Sequence, residues 1–193
     1  RVGDDLNAGM TLLGELCVAV LETRTLPRMT YAEAFQRFAG LDPHALPATR
    51  ERDERLNLLL AGQVEPNLGR ETPTILYHYP ASQAALAKTT TDAQGNPVAE
   101  RFELYVDGVE LANGYHEWQD ADELLRRNRE NNAIRASDRR EELPERSHLL
   151  DAMQHGLPQC TGVALGFDRL VMVALGKTSI EDVLTFPIEL ASS

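Results

Sequence analysis

An α+β fold, with an antiparallel sheet flanked by helices, is predicted by three features of the sequence. Two runs of alternating apolar residues meet at Asp107-Gly108, the strongest short-range signal for a β-hairpin. In several other segments apolar residues recur at steps of three and four, as they do in amphipathic helices. Strands and helices do not alternate regularly, which disfavours a parallel βαβ sheet and favours helices packed on an antiparallel one.

Helices are predicted at the start of the chain. Residues 4–22 carry apolar side chains at helical spacing behind a pair of capping aspartates. Thr30 and Glu33 form a capping box that opens a second helix, and this helix closes at Gly40.

A charged helix and the first strand follow. The helix is expected over residues 50–61, with Gly62 ending it. Residues 74–80 are rich in β-branched and aromatic side chains, which predicts a strand that stops at Pro80. The polar stretch 88–100 is expected to be a loop.

The hairpin over residues 101–117 carries an unusual number of acidic residues for a strand. A two-residue turn would place Glu103 and Glu110 on one face as diagonal neighbours, about 7–8 Å apart. Two glutamates at that separation can close on one hard cation such as Mg²⁺. This register pairs Val106 with Val109, Tyr105 with Glu110, and Glu103 with Ala112. The opposite face would be the core side, formed by Phe102, Leu104, Val106 and Leu111.

A second polar set in the hairpin is out of phase with Glu110. Asn113, Tyr115 and Glu117 alternate with each other, and a one-residue bulge near 112–114 would bring them onto the face of the two glutamates. That face would hold a metal at one end and an amine ligand beside Glu117 at the other. The alternative is a solvated sheet face whose glutamates stay in water.

Beyond the hairpin, the pattern predicts a charged helix over 119–135, a mobile segment over 136–147 and a short helix over 148–155. A strand is expected over 160–166. Near the C-terminus, Thr178-x-x-Glu181 is expected to cap a last short helix.

Arg169 lies in the first turn of a helix expected from Phe167 to Gly176. A cation there opposes the helix dipole, and a bound phosphate would remove the conflict. Gly162 and Gly166 would let a flat ligand approach the preceding strand closely. The alternative is a surface ion pair of Arg169, with the glycines serving packing.

Composition excludes several kinds of protein. The net charge of −11 disfavours non-specific binding to nucleic acid, which needs a basic patch. No apolar run approaches the 18 or so residues of a membrane span. Cys17 and Cys160 are far apart and form no paired motif, so a reducing cytoplasm is expected. The five histidines show no metal-site spacing.

Two segments together resemble a known family. "RFELYVDGVELANGYHEWQDADE" and "GLPQCTGVALGFDRLVMVALG" are similar to the C-terminal part of the catalytic core of class II aminoacyl-tRNA synthetases of the lysyl type. Residues 161–176 resemble motif 3 of that class, and the resemblance extends upstream over nearly the whole chain. Motifs 1 and 2 have no counterpart. Residues 1–193 are therefore expected to be the C-terminal part of one catalytic domain and not to activate lysine at a normal rate alone.

One branch of that family fits best. "YHYPASQAALA", "VELANGYHE" and "GVALG" are more similar to elongation factor P–lysine lysyltransferases than to true lysyl-tRNA synthetases. The resemblance implies a cytoplasmic homodimer that uses ATP and Mg²⁺ to adenylate lysine, preferentially (R)-β-lysine, and transfers it to a lysine of elongation factor P. It implies no tRNA and no membrane as partners. True synthetases usually have glycine where this chain has Ala164, and the added methyl could select between α- and β-amino acids.

The resemblance also implies roles for individual residues. Arg169, on the γ-phosphate, and Glu110 would be the catalytic residues. Mg²⁺ and ATP would be bound by Glu103 and Glu110, with Leu111 and Gly166 beside the nucleotide. The amino-acid pocket would comprise Asn113, Tyr115, Glu117 and Ala164, with Glu117 on a substrate amino group.

Two other interpretations remain at the level of sequence. The chain could be a fragment of a true lysyl-tRNA synthetase. It could also be a synthetase-like module that senses an amino acid or nucleotide without catalysis. Glu103, Glu110 and Arg169 disfavour the second, because a non-catalytic module has no need of a set that binds Mg²⁺ and triphosphate.

Overall fold

The computed structural model describes residues 1–187 and confirms the α+β class. Within that range the sheet has six strands in the order β1-β2-β4-β5-β6, with β3 paired to the start of β4. All pairs are antiparallel except β1 with β2, a parallel pair that was not predicted. The strands are β1 (Arg28–Thr30), β2 (Thr74–Pro80), β3 (Thr89–Thr91), β4 (Pro97–Val106), β5 (Val109–His116) and β6 (Thr161–Leu165).

The helices lie close to their predicted positions. Asp5 caps the first helix, and Thr30 and Glu33 form both hydrogen bonds of the predicted capping box at the second. No helix among residues 1–187 is both long enough and apolar enough to cross a membrane. The helices are α1 (Leu6–Leu21), α2 (Tyr31–Phe38), α3 (Arg50–Leu59), α4 (Ala121–Ser137), α5 (His148–Gln154) and α6 (Phe167–Ala174).

Helices pack on both faces of the sheet, with α1 and α6 on one face and α2 and α3 on the other. The first core contains Met10, Leu13, Phe102, Leu104 and Leu170. The second contains Tyr31, Phe35, Leu56, Tyr79 and Tyr105. Alternate residues of β4 therefore enter different cores, as the two-residue period of a strand requires. A smaller cluster joins α4 to α5 through Leu124, Leu150 and Met153.

The hairpin register is partly as predicted. Asp107 and Gly108 have φ values of 50° and 79°, which the favoured two-residue turn needs at both positions. The pairs Val106–Val109 and Tyr105–Glu110 are confirmed. The pair Glu103–Ala112 was wrong: Glu103 lies opposite Asn113, because Leu111 is an extra residue between the paired positions Glu110 and Ala112. The bulge is thus at Leu111 rather than within 112–114.

Three further expectations were wrong. The predicted loop over 88–100 contains β3 and the start of β4, joined by a turn in which the Asp92 carboxylate accepts backbone N–H bonds from Gln94 and Asn96. Gly62 does not end α3, since the backbone continues as a π-helical turn, Leu60–Val64. Ser179, not Thr178, caps the last short helical turn.

The segment after α4 contains no helix or strand up to residue 147. It is tied to α4 by two hydrogen bonds between Asn132 and Leu143. The side-chain amide of Asn132 donates to the carbonyl of Leu143 at 2.8 Å, and the backbone N–H of Leu143 donates to Oδ1 of Asn132 at 2.9 Å. The mobility expected for residues 136–147 stays a prediction.

Candidate active site

The residues predicted to form a site lie on one face of the sheet. Glu103 pairs with Asn113 across β4 and β5, and directly paired residues of neighbouring strands point to the same face. Because of the bulge, Leu111 and Ala112 both enter the core beneath α1. The alternation of β5 is thereby shifted by one residue, so that Asn113 and Tyr115 point to the same face as Glu110. Strand β6 extends the same face, with Ala164 opposite Asn113 and Gly162 opposite Tyr115.

Glu103 is the centre of a buried hydrogen-bond cluster and is only 3% exposed. Its Oε2 accepts hydrogen bonds from the hydroxyls of Tyr105, at 2.6 Å, and Tyr79. Its Oε1 accepts from the amide of Asn113, at 2.9 Å, and forms an ion pair with Arg101. Each carboxylate oxygen thus has two donors, which is close to the full capacity of an ionised carboxylate.

Burial and the charge of Glu103 together shift the pKa values of its neighbours. Burial, followed by the adjacent Glu103 charge, raises the pKa of both Tyr79 and Tyr105 above the usual tyrosine value. Burial lowers the pKa of Arg101, but the charge and hydrogen bond of Glu103 together with Tyr79 and Tyr115 outweigh burial, and the pKa of Arg101 is raised. The cluster is therefore a fixed arrangement of one anion, one cation and two neutral phenols.

Arg169 and Glu110 lie together beside this cluster. Nη1 of Arg169 donates to the backbone carbonyl of Glu110 at 2.8 Å and is 3.8 Å from Glu110 Oε2. Burial raises the pKa of Glu110, and the charge of Glu103 adds to the effect, while Arg169 and Arg101 oppose it. The two glutamates and Arg169 therefore share one electrostatic environment.

Glu110 is better placed than Glu103 to meet a cation. Among residues 1–187, no donor hydrogen-bonds the carboxylate of Glu110, whereas both oxygens of Glu103 are occupied. A cation against Glu110 would also relieve its repulsion from Glu103. Within residues 1–187, no group of three or more His, Cys, Asp or Glu side chains is arranged to hold a metal ion. Mg²⁺ needs only one or two carboxylates when substrate phosphates complete its shell, so the site fits it in that manner.

The other end of the face is formed by Tyr115 and Glu117. Both side chains are half-buried, and burial raises the pKa of each. The backbone N–H of Glu117 donates to the carbonyl of Cys160 at 3.0 Å, which fixes it beside β6. A carboxylate held in partly apolar surroundings is suited to a ligand amine.

Leu111 and Gly166 meet through their backbones. The N–H of Gly166 donates to the carbonyl of Leu111 at 2.8 Å. The Leu111 side chain is 1% exposed and packs in the core beneath α1, so only its backbone is available to a nucleotide.

Sequence reasoning missed Tyr79, Arg101 and Tyr105 as members of the site. Arg101 and Tyr105 alternate with Glu103 on β4, so the two-residue period placed them on the same face. Tyr79 comes from β2, and its partnership with Glu103 depends on the pairing of β2 with β4.

A separate cleft of about 680 Å³ lies between α2 and the turn at 92–96. Its lining includes Gln36, Arg37, His44, His78 and Asn96, and none of its lining residues belongs to the candidate site.

Comparison with known proteins bears on this face. The family model described as tRNA synthetases class II (D, K and N) matches residues 8–190. The chain belongs to this synthetase family. The chain is 40% identical to a Salmonella arizonae protein named elongation factor P–(R)-β-lysine ligase. It is 41% identical to proteins of the same name from Salmonella dublin and Salmonella paratyphi B.

Each of these alignments covers 97% of this chain and 62% of the relative. The chain thus spans about three-fifths of the length of the curated relatives it matches. The predicted resemblance to the class II family, and within it to proteins of this name, is confirmed.

Gly162 permits Glu117 to lie across β6, and its replacement by alanine is expected to weaken amine binding more than stability. A Cβ at this position would be 2.7 Å from Glu117 Oε1, so the carboxylate has to move. Because the carboxylate ends a flexible side chain, the fold adapts while the group expected to bind an amine is displaced. A hydrogen bond to a charged group contributes about 1.5–3 kcal/mol, so we expect lysine affinity to fall by about tenfold or more. Titration with lysine, followed by the fluorescence of the single tryptophan Trp118, would measure this affinity.

Gly176→Ala is the matched control for Gly162→Ala. No atom lies within 4 Å of a Cβ built at Gly176, and its φ of +64° places any cost in stability rather than in ligand binding. Equal lysine affinity of Gly162→Ala and the wild-type chain would contradict the role given to Gly162.

Proposed function

We propose that the chain is part of an enzyme that activates lysine, in particular (R)-β-lysine, as its adenylate and transfers it to a lysine of elongation factor P. The observation that carries the proposal is the shared face on which Glu110 and Arg169 lie at one end and Asn113, Tyr115 and Glu117 at the other. A triphosphate and an amino acid bound on this face would meet between the two ends.

The names of the relatives support the choice of branch. The Salmonella proteins are named as ligases of elongation factor P and (R)-β-lysine, not as tRNA synthetases. The net charge of −11 agrees with a protein rather than a nucleic acid as acceptor. Cytoplasmic location and a homodimeric form belong to the same proposal.

The residues of this chain would act by positioning and by charge. Glu117 would bind an amino group of lysine, with Tyr115 and Asn113 along the side chain and Ala164 on the floor. Arg169 would leave the Glu110 carbonyl to bind the γ-phosphate of ATP. When bound, Mg²⁺ would neutralise phosphate charge. Glu110 would bind the ion directly. Glu103, as the second carboxylate, would add its negative charge from behind Glu110.

The reaction needs no protein nucleophile. A carboxylate oxygen of lysine attacks the α-phosphorus of ATP in line, the bond from that phosphorus to the bridging oxygen breaks, and pyrophosphate leaves. The amine of the acceptor lysine then attacks the carbonyl of the adenylate, AMP leaves and an amide forms. Preorganised charges of the kind supplied by Arg169 are the main source of rate in such transfers.

A chimeric enzyme tests the proposal. In the Salmonella arizonae relative, the region matched by this chain is replaced by residues 1–193. We expect pyrophosphate exchange that is faster with (R)-β-lysine than with α-lysine, followed by labelling of elongation factor P. The isomer ratio is expected to be about 10–200, the range for one methyl group in a pocket.

Two comparisons make this test decisive. The 193-residue chain alone is expected to show no robust exchange. A folded chimera that uses neither isomer, or that charges tRNA instead of elongation factor P, would contradict the proposal.

A further inference from the structure

Arg101 is a largely buried cation in the middle of the candidate site. Its side chain is 21% exposed, and Nη2 forms the ion pair with Glu103. Nη1 donates to the backbone carbonyl of Gln83 at 3.2 Å. Arg101 therefore joins the sheet to the turn that follows β2, with one terminal nitrogen bound to each.

The guanidinium also lies between two aromatic rings. Its Cζ is 4.4 Å from the centre of the Tyr79 ring and 6.0 Å from the centre of the Tyr115 ring. Arginine favours such positions because its planar cation stacks on aromatic faces. Tyr79 belongs to the Glu103 cluster and Tyr115 to the proposed amino-acid pocket. Arg101 is thus in contact with both.

Arg101 shares Oε1 of Glu103 with Asn113, and this contact sets the direction of the Asn113 amide. The NH₂ group of Asn113 points to Glu103 at 2.9 Å. Its Oδ1 is buried and has no hydrogen-bond partner among residues 1–187. Buried acceptors are nearly always paired in native structures, so this oxygen is directed to a ligand.

Stability does not account for an arginine at this place. A buried ion pair is often no more stable than apolar residues of the same volume. Nε of Arg101 is also buried and has no hydrogen-bond partner in the part of the chain that the structure describes. Apolar residues in place of both Arg101 and Glu103 would fill the same space without an unpaired N–H group. The arginine must therefore serve the geometry of its neighbours.

We propose that Arg101 is a positioning residue of the amino-acid pocket. It acts through Glu103 on the orientation of Asn113, and through its own guanidinium on the ring of Tyr115. The inference rests on the proposed function, since it assumes that Asn113 and Tyr115 bind the amino acid.

The test is a double-mutant cycle on the 193-residue chain, with Trp118 fluorescence as the readout. Trp118 is the only tryptophan and follows Glu117 directly. (R)-β-Lysine and α-lysine are titrated into the wild type, Arg101→Met, Glu103→Gln and the double variant. We expect each single change to weaken binding by about tenfold, as for a small misplacement of contact groups. The double variant should lose little more than either single variant.

Arg101→Lys is the conservative variant and keeps the charge beside Glu103. It is expected to recover part of the affinity lost in Arg101→Met, because it keeps the ion pair with Glu103 but not the planar stacking on Tyr115. Arg129→Met is the matched control, since Arg129 is exposed, pairs with Glu145 and is expected to leave the affinity unchanged. Circular dichroism checks the fold of every variant.

Several results would overturn the proposal. Wild-type affinity in Arg101→Met, or single losses that add in the double variant, would show that Arg101 does not act through Glu103. If Arg101→Met does not fold, unchanged affinity in Glu103→Gln leads to the same conclusion. Absence of saturable binding by the folded wild-type chain would instead refute the proposed pocket itself, and the positioning role with it.

Discussion

Replacement of Glu103 by alanine is expected to lower the free energy of unfolding by about 3–5 kcal/mol, the usual cost of removing one partner of a buried ion pair. Arg101 would remain as an uncompensated buried cation. The hydroxyls of Tyr79 and Tyr105 and the amide of Asn113 would also lose their acceptor. Urea denaturation followed by circular dichroism would measure the change, in buffer free of divalent cations.

Glu110→Ala is the matched control for Glu103→Ala. Glu110 is half-buried, and no donor among residues 1–187 hydrogen-bonds its carboxylate. Its loss is expected to change stability by no more than about 1 kcal/mol, as for most partly exposed ion pairs. Equal stability of the two variants would show that Glu103 has no structural role and that its only role is toward a ligand. Glu103→Gln should lie between them, because glutamine keeps the shape and part of the hydrogen bonding.

Most of the secondary structure followed from local signals. The Asp107-Gly108 turn and the Thr30-Glu33 box are complete within a few residues, so sequence alone was enough for both. The position of the bulge was not determined in this way. Leu111 and Ala112 are both apolar, and the alternation of polar and apolar residues does not say which of them is the extra one. Only packing beneath α1 places both in the core.

Strand β3 and the β1–β2 pair were missed for a related reason. Strands β1 and β3 are each three residues long, and each forms only by pairing with a longer strand. Arg28–Thr30 carries no pattern of its own that predicts a strand, and the three β-branched threonines of Thr89–Thr91 are too short a run to predict one. Such short edges are products of the tertiary fold.

The candidate site was predictable as a face but not as a network. Period-two alternation placed Glu103, Asn113 and Tyr115 together once a bulge was allowed. It could not show that Glu103 accepts four donors, because one of them, Tyr79, lies 24 residues away. The difference matters chemically. Two equivalent glutamates were expected, whereas the structure has one saturated glutamate and one that is free to meet a cation.

Arg169→Met is expected to reduce adenylate formation in the chimera by about 10²–10³-fold, as removal of one charge-stabilising donor does in comparable sites. Arg169 is half-exposed, and its contacts with Glu110 are one hydrogen bond and a 3.8 Å ion pair, so the side chain can turn to a triphosphate at little cost. Pyrophosphate exchange with (R)-β-lysine would measure the rate.

The affinity of the amino acid separates this role from a structural one. Arg169 lies at the opposite end of the face from Glu117, so lysine binding to the Arg169→Met chain should stay within about twofold of the wild type, as for a change remote from the contact. Lys177→Met, near the end of the same helix, is the control for loss of one surface cation. If Arg169→Met keeps exchange within a few-fold of the wild type, the arginine does not contact the triphosphate. If it loses lysine affinity instead, Arg169 acts on the pocket through Glu110.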